Sequence, residues 1–125
     1  MTENRNEYLL LGPETGEKNE FMKRLKKNLG EKHNGEPDEY VFYPYDTEMS
    51  EVIPILRNIS LFAPAKFVII KSCHDLKKKD TALLCEYLKT PADDTVLVLV
   101  SDNTRVDPSL EKCIPPSNRK IFWEM

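Results

Sequence analysis

Tyr8-Leu9-Leu10-Leu11-Gly12-Pro13-Glu14-Thr15-Gly16-Glu17-Lys18-Asn19 runs from an apolar stretch through a turn into the start of a helix. That is the placement a phosphate-binding loop requires, because the free N–H groups at a helix start face an anion held in the turn. A working loop reads G-x-x-x-x-G-K-[ST]. Counted from Gly12, the second glycine position holds Glu17, the lysine position holds Lys18 and the hydroxyl position holds Asn19. Glu17 thus puts a carboxylate where phosphate would sit, and the hydroxyl that ligates magnesium is missing. An acidic residue closing a hydrophobic strand, the other half of such a metal site, is absent at Ile70-Lys71-Ser72, and Val100-Ser101-Asp102 offers only a displaced Asp. Gly12, Gly16, Glu17, Lys18 and Asn19 therefore read as a degenerate phosphate loop, with no cofactor expected.

Outward from this loop, five segments read as strands: Tyr8 to Leu11, Tyr40 to Tyr43, Phe67 to Ile70, Val96 to Val100 and Ile121 to Trp123. Most are continuous apolar runs, the pattern of strands covered on both faces of a parallel sheet. Helices fill the gaps. The first starts near Thr15, carries Phe21, Met22, Leu25 and Leu29 on one side, and is expected to stop at Gly30. The second starts close to Ser50 and places Met49, Val52, Ile53, Leu56 and Ile59 on one stripe, with Pro54 tolerable only in or near the first turn. The third takes Asp80 as its N-cap, buries Leu83, Leu84, Tyr87 and Leu88, and ends at Thr90-Pro91; a short fourth spans Pro108 to Cys113. Strands alternating with helices predict a three-layer α/β/α domain around a five-stranded parallel sheet.

The bulk properties exclude several roles. A net charge of −3 speaks against a domain that coats nucleic acid, so DNA is expected to be met only indirectly. There is no run of 18 apolar residues and the first residues are polar, which predicts a cytoplasmic protein without membrane contact. Cys73, Cys85 and Cys113 lack CxxC spacing and read as reduced thiols. Cys73 with His74 is not followed by a second ligand pair, so no metal site is expected. His33 and His74 have no nucleophile at an identifiable elbow.

Ile59-Ser60-Leu61-Phe62-Ala63-Pro64 joins the second helix to the third strand and sets Leu61 beside Phe62 just before a proline. Adjacent residues do not share the narrow stripe that Leu56 and Ile59 define. Two readings stand on the pattern alone: both side chains fold back over the core, or at least one projects as an apolar wedge for a partner.

The blocks Tyr8-Leu9-Leu10-Leu11-Gly12, Ser60-Leu61-Phe62-Ala63 with Phe67-Val68-Ile69-Ile70-Lys71, and Thr95-Val96-Leu97-Val98-Leu99-Val100, in this order and spacing, resemble the delta subunit of the bacterial DNA polymerase III clamp loader. The resemblance runs from about Tyr8 to Trp123 and implies a RecA/AAA+-like fold that lacks ATP binding. It also implies that Leu61 and Phe62, supported by Ile59, enter the hydrophobic pocket of the beta sliding clamp. Pro64 departs from the basic or polar residue frequent at its place in that family. On this reading residues 1–125 form the single N-terminal domain of a longer subunit, and the lid and collar domains that join the other loader subunits lie outside them. The domain would have no reaction of its own while serving the polymerase holoenzyme. The alternatives are a divergent P-loop nucleotide enzyme, which an intact metal site would favour, and the loader's delta prime subunit, which zinc-ligand cysteines near the N-terminus would favour.

Overall fold

The structure is a computed structural model and describes residues 6–58 and 63–123. Its elements follow in the order β1 (Glu7–Leu11), α1 (Thr15–His33), β2 (Asp38–Phe42), α2 (Met49–Arg57), β3 (Lys66–Ile70), α3 (Lys78–Lys89), β4 (Thr95–Val100), α4 (Pro108–Glu111) and β5 (Arg119–Ile121). The strands form one parallel sheet in the order β2-β3-β4-β1-β5. β3 and β4 are buried at every position, as their unbroken apolar runs require.

Alternation along the strands divides the core in two. Leu9, Leu11, Val68, Ile70, Leu97 and Leu99 meet Met49, Val52 and Leu56 of α2, Leu84, Tyr87 and Leu88 of α3, and Leu110 of α4. Leu10, Phe67, Ile69, Val98 and Val100 turn to the other side against Met22 and Leu29 of α1. The result is the three-layer α/β/α architecture with a five-stranded parallel sheet.

Several boundaries differ from the sequence reading, each for a local reason. α1 passes Gly30 and ends at His33, because Asn34 takes the left-handed conformation at φ 59° and donates its N–H to Gly30 O. Gly30 serves close packing instead: a Cβ there would lie 3.0 Å from Gly35 O. Pro54 is the sixth residue of α2, just past the first turn. α3 starts at Lys78, and Asp80 caps a different helix: buried, it accepts a hydrogen bond from Met49 N, the first residue of α2, at 3.4 Å. Leu83 points outward at 38% exposure. β5 comes two residues earlier than expected, because Arg119–Ile121 is the stretch that stands opposite Leu9–Leu11.

The cysteines require a correction. Cys85 and Cys113 form a disulfide across α3 and the end of α4, with Cα atoms 5.6 Å apart, and only Cys73 is a free thiol. A separation of 28 residues hides the pairing in the sequence; packing of α4 on α3 creates it. No helix among the described residues is long and apolar enough to cross a membrane.

Candidate functional site

At the C-terminal ends of the strands, where ligands bind in open α/β sheets, the turn after β1 is occupied by the protein's own groups. Glu14 Oε1 accepts from the N–H groups of Gly16 at 2.7 Å and Glu17 at 3.2 Å, so a carboxylate sits on the first turn of α1 in the manner of a bound phosphate. The Glu17 side chain, expected in that role, is exposed to solvent and contributes only its N–H. Lys18 is 2% exposed. Its Nζ donates to Gly12 O at 2.7 Å and Ser101 O at 3.1 Å, and pairs with Asp102 Oδ1 at 3.1 Å. The displaced Asp after β4 is thus the partner of the loop lysine. Asn19 is exposed beside them.

The loop is also strapped to its neighbours. Gly12 N donates to Asn103 O and Glu14 N to Phe122 O. Gly12 adopts φ 100°, and a Cβ on it would lie 2.2 Å from Phe122 O, so only glycine fits. A cleft of about 280 Å³ lined by Thr15, Lys18, Asn19, Tyr43, Lys71 and Asp102 remains beside the loop.

Near this edge the structure brings together two residues that the sequence left apart. His74 Nδ1 lies 2.6 Å from Ser101 Oγ, which also accepts the N–H of Asn103 at 3.0 Å. His74 Nε2 is 3.7 Å from Asp75 Oδ1. The serine is 1% exposed and its hydroxyl oxygen already joins the turn after β4 to the one after β3, which makes the trio a tie between loops. Cys73 turns into the core, where burial pushes its thiol up to about 12 and keeps it protonated. It does not meet His74 as a ligand pair.

Ile59, Leu61 and Phe62 lie outside the described residues. The residues that flank them in the chain are described, at the end of the sheet where β3 begins. α2 ends at Arg57, and Asn58 follows in extended conformation. Thr95 Oγ1 donates to Leu56 O at 3.3 Å. Arg57 donates to Thr90 O at 2.7 Å and Tyr87 O at 3.4 Å, with its guanidinium 4.6 Å from the Tyr87 ring centroid. Lys66, 2% exposed, donates from Nζ to Asn58 O. Sequence reasoning missed Glu14 and Lys66. The available signals were a capping-type carboxylate two residues before Gly16 and a lysine heading the otherwise apolar Lys66-Phe67-Val68-Ile69-Ile70.

Comparison with known proteins adds three findings. The family described as "DNA polymerase III, delta subunit" matches residues 8–113. No curated protein matches the chain. Among solved structures, the Bacillus subtilis DNA clamp loader delta protein superposes with a TM-score of 0.74 at 20% identity, over 97% of this chain and 39% of that one. A DNA polymerase III gamma subunit-related protein from Thermotoga maritima gives 0.63 at 15% identity, over 93% of this chain and 40% of that one. The RuvB Holliday junction branch migration motor of the same organism gives 0.61 at 18%, over 95% and 37%. These likenesses show the fold, a parallel sheet covered by helices, and the chain spans about two fifths of the length of each.

Proposed function

The chain belongs to the DNA polymerase III delta subunit family, and from that premise we propose that it binds the beta sliding clamp and helps to open it during DNA replication, in the cytoplasm and without hydrolysing ATP. One observation carries the reading: the family match spans residues 8–113, a range that includes residues 59–62 with adjacent Leu61 and Phe62. The filled phosphate loop supports it against the nucleotide enzyme, because an incoming phosphate would have to displace Glu14 from the helix start. The chain acts as the N-terminal domain of a longer subunit, with lid and collar domains joining the other loader subunits.

In this mechanism Leu61 and Phe62 enter an apolar pocket of the clamp, with Ile59 in support. Each side chain contributes about 1.5–3 kcal/mol on full burial, so the pair is sufficient for roughly a hundredfold in affinity or more. Opening follows from differential binding: contacts that favour a distorted ring shift the clamp toward it. No bond is made or broken in this domain.

The test is the double variant Leu61→Ala/Phe62→Ala, followed by clamp binding and thermal denaturation on the same preparation. A wedge predicts at least a hundredfold weaker clamp binding with folding nearly unchanged. Several kcal/mol of lost stability, with affinity per folded molecule intact, would return both residues to the core.

A further inference from the structure

We propose that Cys85 and Cys113 are a reversible redox site, a pair that a dithiol reductant opens and a small-molecule disulfide closes while the domain stays folded. The pair lies where α4 packs on α3. Both cysteines are partly exposed, so an attacking thiolate can reach the bond in the folded protein. The surroundings accommodate either state. Cys85 Sγ lies 3.4 Å and Cys113 Sγ 3.2 Å from Ser109 O, which gives each thiol an acceptor within reach once the bond is cut. Cys73 is 2% exposed in the core, too deep to mispair with either.

Packing also holds the two sulfurs together, independently of the bond. Leu110 and Ile114, on either side of Cys113, are buried in the same core as Leu84 and Leu88, on either side of Cys85. Asp107 Oδ1 accepts from Ser109 N at 2.9 Å, and Arg119 Nε donates to Ile114 O at 2.7 Å. None of these contacts depends on oxidation, so α4 keeps Cys113 beside Cys85 after reduction and the same bond can re-form. In the cytoplasm proposed above, where thiols keep most cysteines reduced, a surface disulfide is of the transient, redox-responsive kind; only this setting rests on the functional reading. The exchange balances. A thiolate of the reductant bonds one sulfur and the other leaves as a thiolate, which takes a proton from solvent; the reductant's second thiol then releases the first sulfur as its own disulfide closes. The protein gains two electrons and two protons, and the reductant loses them.

The experiment reduces the natural chain with millimolar dithiothreitol at several sub-denaturing urea concentrations, then restores it with oxidised glutathione, counting free thiols by alkylation and mass. Direct attack on the folded protein predicts a reduction rate that stays within about twofold across the urea series, whereas a bond reached only by unfolding is cut at a rate that climbs steeply with urea. The reduced chain is expected to keep a cooperative unfolding transition and to re-form Cys85–Cys113 within one molecule. Cys85→Ser and Cys113→Ser are each expected to gain one glutathione at the remaining surface cysteine, with Cys73 unmodified. A rate that climbs with urea, a reduced chain without a cooperative transition, or failure of the natural chain to close the same bond overturns the proposal and leaves the disulfide a fixed staple. Where a serine variant does not fold, the natural chain alone decides. None of these readouts involves the clamp, so their failure is distinct from failure of the clamp-binding reading.

Discussion

Each end of the sheet buries a lysine, Lys18 where the strands finish and Lys66 where they begin, and both are 2% exposed. Lys18 faces two main-chain carbonyls and the Asp102 carboxylate, all at the turn that would otherwise cradle a phosphate. Lys66 reaches across to the carbonyl end of α2. The first arrangement fills the turn after β1 with the protein's own groups, and the second ties the start of β3 to the end of α2. What distinguishes them is the partner's position: acceptors packed around a closed turn at one end, and a carbonyl beyond a seven-residue interval, residues 59–65, at the other. The comparison predicts that loss of Lys18 is felt in stability and leaves clamp affinity unchanged.

The largest effect on stability lies between them. The disulfide Cys85–Cys113 closes a loop of 28 residues that contains β4, and it braces α3, to which Arg57 ties the end of α2. Loop-closure entropy puts its contribution at about 3–4 kcal/mol. Reduction, or Cys85→Ser with Cys113→Ser, is expected to lower the unfolding free energy by that amount in chemical denaturation while clamp affinity per folded molecule stays within about twofold. A fall in affinity beyond that would mean the α2 exit depends on α3 as a whole, and the contrast between the ends would weaken.

Lys18→Met comes next. It leaves Gly12 O and Ser101 O without their buried donor, at about 1–3 kcal/mol for an unsatisfied group. Asp102 is 81% exposed, so the ion pair itself adds little. A loss of about 2–4 kcal/mol in chemical denaturation is expected, with clamp binding unchanged. Impaired clamp binding by the folded variant would break the separation of roles.

The architecture was legible because unbroken apolar runs such as Phe67-Val68-Ile69-Ile70 and Val96-Leu97-Val98-Leu99-Val100 admit little but buried parallel strands. The degenerate loop was legible as a departure from a spacing rule. Which carboxylate fills it was not: Glu17 occupies the counted position, yet Glu14 holds the helix start, because a residue at the helix N-cap has its carboxylate within reach of the N–H groups two and three residues on. Asp80 misled for the converse reason, since its side chain caps a helix 31 residues away in sequence. Cys85–Cys113 and His74–Ser101 were hidden in the same way, both depending on elements that meet only after folding. Local rules see the chain within a few residues, and these contacts lie beyond that reach.

The smallest effect tests whether the closed loop is closed by chemistry or only by sequence drift. Glu14→Ala removes the carboxylate from Gly16 N and Glu17 N, and loss of such a cap costs about 0.5–2 kcal/mol. The variant is therefore expected to fold, with the helix start freed for an anion. Lys18 still spends its Nζ on Gly12 O, Ser101 O and Asp102, and Asn19 still stands where magnesium would need a hydroxyl. Calorimetry with millimolar magnesium-ATP should accordingly show no saturable heat for the natural protein or for Glu14→Ala. A micromolar dissociation constant in the natural protein would revive the nucleotide enzyme. The same constant in Glu14→Ala alone would make one carboxylate the whole barrier, and the strand-finishing end of the sheet would then be an occupied site instead of a lost one.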